Sequence, residues 1–291
     1  MFHIDAPEQY AALLAETSVI CANTLLCRDL VNETSDRSNP EAIAREARKL
    51  SRLKGVSARI YGKREIERMK MGLLTAVSRG SAYQPRLAVL TYTGNPKSKK
   101  YLAVVGKGIT FDTGGINLKP TGHIEDMRCD MAGAAVSLYT VKAAAELKLK
   151  KNLYAVMPLC ENMLSRAAYR PGDVHHAMNG KSVEIGNTDA EGRLILADAL
   201  CFTETTLRPA QIIDIATLTG ACLISFGEII AAMLTADDEL AARLFDAGES
   251  TGERLWRMPL YREYQEDIKS DIADIRNISS GRNAGTIIGA T

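Results

Sequence analysis

Hydrophobic periodicity switches repeatedly between the helical and the extended repeat along this chain, and few architectures accommodate that. An Ala-rich run at residues 131–147 predicts a helix, and the apolar run 153–159 that follows predicts a strand. Residues 182–185 read as a further strand, 192–206 as a helix, and 211–215 as a strand apolar enough to be buried on both faces. Such alternation predicts an α/β fold with a mixed, mainly parallel β-sheet sandwiched by helices.

The flanking segments fit that scheme. Leu13, Leu14, Ile20, Leu25, Leu26 and Leu30 recur at helical spacing across residues 10–33. A second helix is expected over 40–53, with Pro40 in the first turn and Glu41 where the helix dipole favours an acid. Residues 56–61 alternate as a strand. The runs 86–92 and 101–105 flank Gly94-Asn95-Pro96 and are expected to pair as a hairpin. Helical pattern returns over 237–247 and 261–270, and the Gly/Ser-rich stretch 279–291 is expected to be a loop that looks cut.

Composition narrows the function classes. Lys plus Arg number 36 against 35 for Asp plus Glu, so no global field favours nucleic acid or an anionic membrane. The six cysteines are scattered without a Cys-x-x-Cys pair, which suits a reducing compartment. The opening residues have early acids and no basic-then-apolar stretch, so a secretory signal is not expected. The window 220–236, taken as the most apolar, is broken by Gly227 and Glu228 and falls short of the roughly 20 residues a span requires. A cytoplasmic protein with no membrane segment is the expectation.

Two segments crowd glycines and charged residues at strand ends, where open α/β sheets build their ligand sites. One runs from Gly106 through Lys107, Asp112 and Lys119 to Asp130; the other is Asn187-Thr188-Asp189-Ala190-Glu191-Gly192-Arg193. The Phe111-Asp112-Thr113-Gly114 sequence matches the aspartic-protease signature, but that dyad needs two copies on an all-β fold, and one is present. Neither phosphate-loop glycine pattern occurs. Four carboxylates remain: Asp112, Asp130, Asp189 and Glu191. Clustered between glycines they call for a counter-charge, and a divalent cation supplies it. The 189/191 spacing sends both side chains to one side of an extended segment, so one can bind a single ion and the other bridge two. Two ions about 3.5–4 Å apart share and activate a water, the basis of a hydrolase site. Oxygen ligands favour Mg or Mn, with Zn also allowed. The competing reading is helix capping by Asp130 and Glu191, and the residues alone leave both open. His3, His123, His175 and His176 form no metal motif, and the adjacent pair is expected on a strand or turn surface.

These residues resemble the leucyl aminopeptidase family of cytosolic di-metal exopeptidases. The octapeptide Asn187–Leu194 is that family's signature, and Gly106–Gly115 its other metal-binding segment. Agreement extends through Cys160–Met163, Tyr169–Asp173, Asp214–Gly220 and Trp256–Leu260. The resemblance implies that Lys107, Asp112, Asp130 and Glu191 hold a tightly bound ion. Asp112, Asp189 and Glu191 would hold a more exchangeable one. It implies Lys119 as the oxyanion stabiliser and Arg193 as the holder of a bicarbonate that serves as general base. It places Met127, Thr217, Leu218 and Gly220 in an apolar pocket for leucine-like first residues of peptide substrates. It further implies a hexamer, residues 1–36 as a linker helix region, and 37–291 as a catalytic domain incomplete at its C-terminal end.

Other functions use the same features. Di-metal phosphoester hydrolysis could employ these carboxylates. A catalytically impaired member with a structural or nucleic-acid-binding role is the alternative to peptide hydrolysis, and the near-zero net charge gives it no support.

Overall fold

The computed structural model describes residues 7–291; His3 and the opening residues 1–6 lie outside them. The helices and strands follow, in chain order, as α1 (Pro7–Asn32), α2 (Pro40–Leu50), β1 (Val56–Tyr61), α3 (Lys63–Arg68), α4 (Gly72–Ser78), β2 (Arg86–Thr93), β3 (Leu102–Gly106), β4 (Gly108–Asp112), α5 (Ala132–Glu146) and β5 (Asn152–Asn162). Then come β6 (Val174–His176), β7 (Ser182–Glu184), α6 (Gly192–Phe202), β8 (Gln211–Ile215), α7 (Ala221–Phe226), β9 (Ala231–Met233), α8 (Asp238–Thr251), β10 (Leu255–Arg257), β11 (Ile275–Arg276) and α9 (Gly285–Ala290).

Local chemistry accounts for the best-defined elements. Helix α2 starts where Asn39 caps the Ala42 N–H at 3.0 Å and Pro40 pre-sets the first turn. It buries Ile43, Ala44, Ala47 and Leu50, one stripe at helical spacing. Strand β5 is buried along nearly its whole length because neighbours pair on both edges and helices cover both faces.

The main sheet runs β1-β2-β5-β3-β8, with β4 continuing alongside β5. Pairs β1·β2 and β2·β5 are antiparallel; β5·β3, β3·β8 and β4·β5 are parallel, giving the mixed, mainly parallel sheet expected. One apolar core, with Ile43, Ala47, Leu138 and Val141, joins α2 and α5 to one face. The other, with Leu73, Leu74, Leu194, Ile195 and Phe202, joins α4 and α6 to the opposite face. Leu138 is fully buried, so its truncation to alanine costs about 2–5 kcal/mol.

Several expectations are corrected. β2 and β3 do not form a hairpin, because β5 lies between them, antiparallel to β2 and parallel to β3. The connection is tied across the start of β5 by Asn152, which accepts from Asn95 N at 2.9 Å and donates to Asn95 O and Ser98 O at 3.0 and 2.8 Å. β8 is an edge strand among the described residues, only half-buried and with Asp214 exposed, rather than covered on both faces. The stretch expected to be a loop contains α9, which buries Thr286, Ile287 and Ile288. The predicted helix at 261–270 is a 3-10 segment, Arg262–Ile268. The membrane-length apolar stretch is not 220–236, which forms α7 and β9. Among the described residues, one helix, over Tyr10–Asn32, is long and apolar enough to cross a membrane by length and composition. That helix lies against α5, where Asn23 donates to Glu146 at 2.7 Å and accepts from Lys142 at 3.1 Å.

Candidate metal centre

The carboxyl ends of β3, β4, β5 and β8 converge on one site. Strands β3 and β4 are successive pieces of one extended segment, interrupted at Lys107. There the backbone N–H still continues the ladder to β8, donating to Ile215 O at 3.0 Å, while the carbonyl turns out of the sheet to accept from Ala134 N at 2.8 Å. The break sends the Lys107 side chain into the site, and the backbone around it has no room for larger residues. A Cβ on Gly192 would stand 2.5 Å from Lys107 Cε, and one on Gly133 would stand 2.0 Å from Ile215 O.

Lys107 is 2% exposed. Its Nζ lies 2.8 Å from each Asp130 oxygen, 2.9 Å from Glu191 Oε1 and 2.8 Å from Thr217 O. Thr217 Oγ1 also donates to Asp130 at 2.8 Å. Neither acid's side chain caps the helix it precedes. The capping reading is thereby replaced: both carboxylates turn inward to the lysine, since a buried ammonium requires counter-charge.

The outer half of the site is built on Asp112, at the end of β4. Its Oδ1 accepts from Gly114 N and Asn162 Nδ2, each at 2.8 Å, and its Oδ2 lies 3.0 Å from Lys119 Nζ. Lys119 also contacts Asp189 at 2.5 Å. The 113–119 loop that delivers Lys119 turns at Gly114, whose φ of +84° and whose closeness to Asn117 O exclude a side chain.

One ligand oxygen from each of Asp112, Asp189 and Glu191 lies within 4.8 Å of the others. Asp130 reaches the same cluster through Lys107. Four carboxylates against two lysines leave an excess of negative charge, and three of the acids (Asp112, Asp130, Glu191) are buried. Burial pushes the Asp112 carboxyl up to about 6, with Glu191 adding to it; burial likewise lifts Asp130 to about 8 against the pull of Lys107. Burial works against the charged form of both lysines, but the neighbouring carboxylates outweigh it and hold them above the usual range. The residues therefore fit a divalent cation: oxygen donors are close together and short of positive charge.

Arg193, at the start of α6, is partly buried; Nη1 donates to Asn277 O at 3.0 Å, while Nε has no hydrogen-bond partner. Met127 lies in the 3-10 turn that leads to Asp130. Thr217 belongs to the site through Asp130, Leu218 packs on the core below α6, and Gly220 precedes α7. His175 and His176 lie on β6, and no described histidine joins the cluster.

Three supporting residues lie in segments the sequence singled out but carried no assigned role there. Asn162 Nδ2 bridges Asp112 to Thr188 O at 3.0 Å, Tyr169 donates to Thr188 O at 2.7 Å, and Thr188 Oγ1 donates to Gly114 O at 2.6 Å. The available signal was a polar pair, Glu161-Asn162, closing an apolar strand beneath a motif.

The family profile described as cytosol aminopeptidase family, catalytic domain, matches residues 25–291. The probable cytosol aminopeptidase of Protochlamydia amoebophila is 47% identical over 288 residues, covering 99% of this chain and 58% of that protein. Its counterpart in Syntrophotalea carbinolica is 47% identical over 97% of this chain and 56% of its own length, and that of Chlamydia abortus 48% over 91% and 53%. The chain thus spans about half the length of the curated relatives it matches.

Proposed function

Because the chain belongs to the cytosol aminopeptidase family, we propose that it removes leucine-like N-terminal residues from peptides, in the cytoplasm, with two divalent cations (Mn, Zn or Mg) at the acidic cluster. The observation that carries this reading is the meeting of Asp112, Asp189 and Glu191 oxygens beside two lysines at the carboxyl end of the sheet.

Asp112, Asp189 and Glu191 would hold the exchangeable ion, and Lys107, Asp130, Asp112 and Glu191 the tighter one. Bound divalent cations supply Lewis acidity to the scissile carbonyl and an activated water. Lys107 would serve as a ligand only as the neutral amine, so holding an ion there would require its ammonium to give up one proton to solvent. Lys119 keeps its proton. Its ammonium, at the outer edge between Asp112 and Asp189, faces the negative charge that develops on the carbonyl oxygen. Arg193 would hold a bicarbonate, which would supply a general base; its unpartnered Nε supports that role. Met127, Thr217, Leu218 and Gly220 form the pocket for the first side chain, and the assembled protein is a hexamer.

Leucine p-nitroanilide hydrolysis by the metal-stripped chain, before and after Mn2+, tests the reading, with an aryl phosphate alongside and Lys119→Ala as control. Metal-dependent release that falls about 10²–10³-fold in the variant is expected. A folded, metal-loaded chain that leaves leucine p-nitroanilide intact, or cleaves only the phosphate, overturns it.

A further inference from the structure

The turn that carries Asp189 and delivers Glu191 belongs to no helix or strand, so partners elsewhere in the chain must set its shape. Strand β11 supplies one. It pairs in parallel with β7, and Asn277 N extends that ladder by donating to Glu184 O at 3.0 Å. This register plants the Asn277 side chain under the turn, where the residue is 4% exposed. Oδ1 accepts from Gly186 N at 2.8 Å and Asn187 N at 3.3 Å; Nδ2 donates to Asn187 O at 2.7 Å and Ala190 O at 3.3 Å. Both lone pairs and both protons of the carboxamide are thus used on residues 186–190. The Asn277 backbone carbonyl accepts from Arg193 Nη1 at 3.0 Å. Gly186 permits the approach, since a Cβ there would stand 2.8 Å from Ile278 Cγ2.

We infer that Asn277 is a positioning residue for the acidic site. Its carboxamide fixes the 186–190 turn so that the Asp189 and Glu191 oxygens face Asp112, and its carbonyl orients Arg193. The part concerning cations rests on the reading of that cluster given above. Only a neutral carboxamide meets the demand: an aspartate of the same shape offers no proton to Asn187 O or Ala190 O, and an alanine offers nothing.

The test uses the full chain, wild type beside Asn277→Ala, Asn277→Asp and Ser182→Ala. Ser182 is the control because its hydroxyl binds Asp274 at 2.7 Å in the same small sheet without touching the turn. Two readouts apply: amide hydrogen exchange across residues 184–191, and Mn2+ binding by titration calorimetry. Both Asn277 variants are expected to exchange at least about tenfold faster there and to bind Mn2+ about 10–100-fold more weakly, as for lost supports of metal ligands. Ser182→Ala should keep wild-type Mn2+ affinity, and α5 should stay protected in every variant. Wild-type exchange and affinity in a folded Asn277→Ala overturns the inference, as does Ser182→Ala matching it in both readouts. Should Asn277→Ala fail to fold, Asn277→Asp decides; unfolding of both shows a folding role instead and also overturns it. A wild type that binds no Mn2+ refutes the cation reading, and the exchange comparison alone then decides the role of Asn277.

Discussion

Lys107 and Lys119 each stand between two carboxylates, yet the two halves of the site are built differently. Lys107 has a side chain 3% exposed and is gripped by Asp130, Glu191 and the Thr217 carbonyl. Lys119 is 15% exposed, rides on a loop, and one of its partners, Asp189, is 33% exposed. At the floor no water can replace a lost partner, so a charge stripped of its counter-ion stays uncompensated. At the rim, solvent shares the task and the ammonium can follow a changing charge. The floor is organised for stability and the rim, on the proposed function, for reaction.

The largest expected effect breaks the floor. Lys107→Ala leaves Asp130 and Glu191 buried without their cation and is expected to destabilise the metal-free chain by about 3–5 kcal/mol in urea unfolding. Lys119→Ala should cost less in the same experiment, about 1–3 kcal/mol, because the ammonium and Asp189 keep solvent access although Asp112, 3% exposed, loses a partner. Equal losses would end the distinction between floor and rim. Turnover should invert the order of interest: Lys119→Ala, still folded, is expected to lose about 10²–10³-fold in kcat, the usual scale for one oxyanion donor. A Lys119→Ala chain with wild-type kcat would show the rim lysine to be a bystander.

What could be read in the sequence divides along similar lines. Both acidic segments were legible because each packs its chemistry into a short contiguous run: Lys107 with Asp112, and Asp189 with Glu191. The helix-strand alternation likewise revealed the sandwich, since periodicity reports which face of each element is buried. Asn162, Tyr169 and Asn277 were not legible as supports, because their partners lie far off in sequence and a single polar residue carries no period. The false hairpin failed for a related reason. Two β-rich runs joined by a turn satisfy local rules, but nothing local shows that β5, the most buried strand, inserts between them. Glu191 and Asp130 also resisted reading, because a helix-initial acid looks the same whether it caps the helix or turns inward to a lysine.

A buried acid outside the site sharpens the contrast by having no lysine at all. Asp198, two turns beyond Glu191 on α6, is fully buried and accepts only from backbone amides: Leu73 N at 2.9 Å, Leu74 N at 3.0 Å and Met178 N at 2.8 Å. Burial pushes its carboxyl up to about 6 despite those bonds. With the folded value above the unfolded one, the native state binds the extra proton. The Asp198 contribution is therefore fully present below about pH 4 and declines as pH rises through about 6. Asparagine does not titrate, so Asp198→Asn should gain on the wild type by roughly 1–3 kcal/mol between pH 4 and 7 in paired urea titrations. A difference that stays flat with pH would show that three amides suffice in place of a cation, and that burial does not govern this carboxyl.

The smallest effect probes how finely the floor is matched. Thr217 Oγ1 donates to Asp130 Oδ1 while the Thr217 carbonyl accepts from Lys107, so one residue serves both members of the ion pair. Thr217→Val keeps the shape and the carbonyl but removes the hydroxyl, and Asp130 loses one of its donors. A loss of about 0.5–1.5 kcal/mol in unfolding free energy is expected, the ordinary net worth of one hydrogen bond. The corresponding change at the rim, Asn117→Ala, removes an acceptor of the Thr188 amide at 2.9 Å on a half-exposed loop. Thr188 itself is buried, but truncating the exposed Asn117 side chain opens space for water to reach its amide, so this variant should cost less than Thr217→Val. If the rim variant costs more, the outer loops are as tightly matched as the buried ion pair, and solvent access does not separate the two halves of the site.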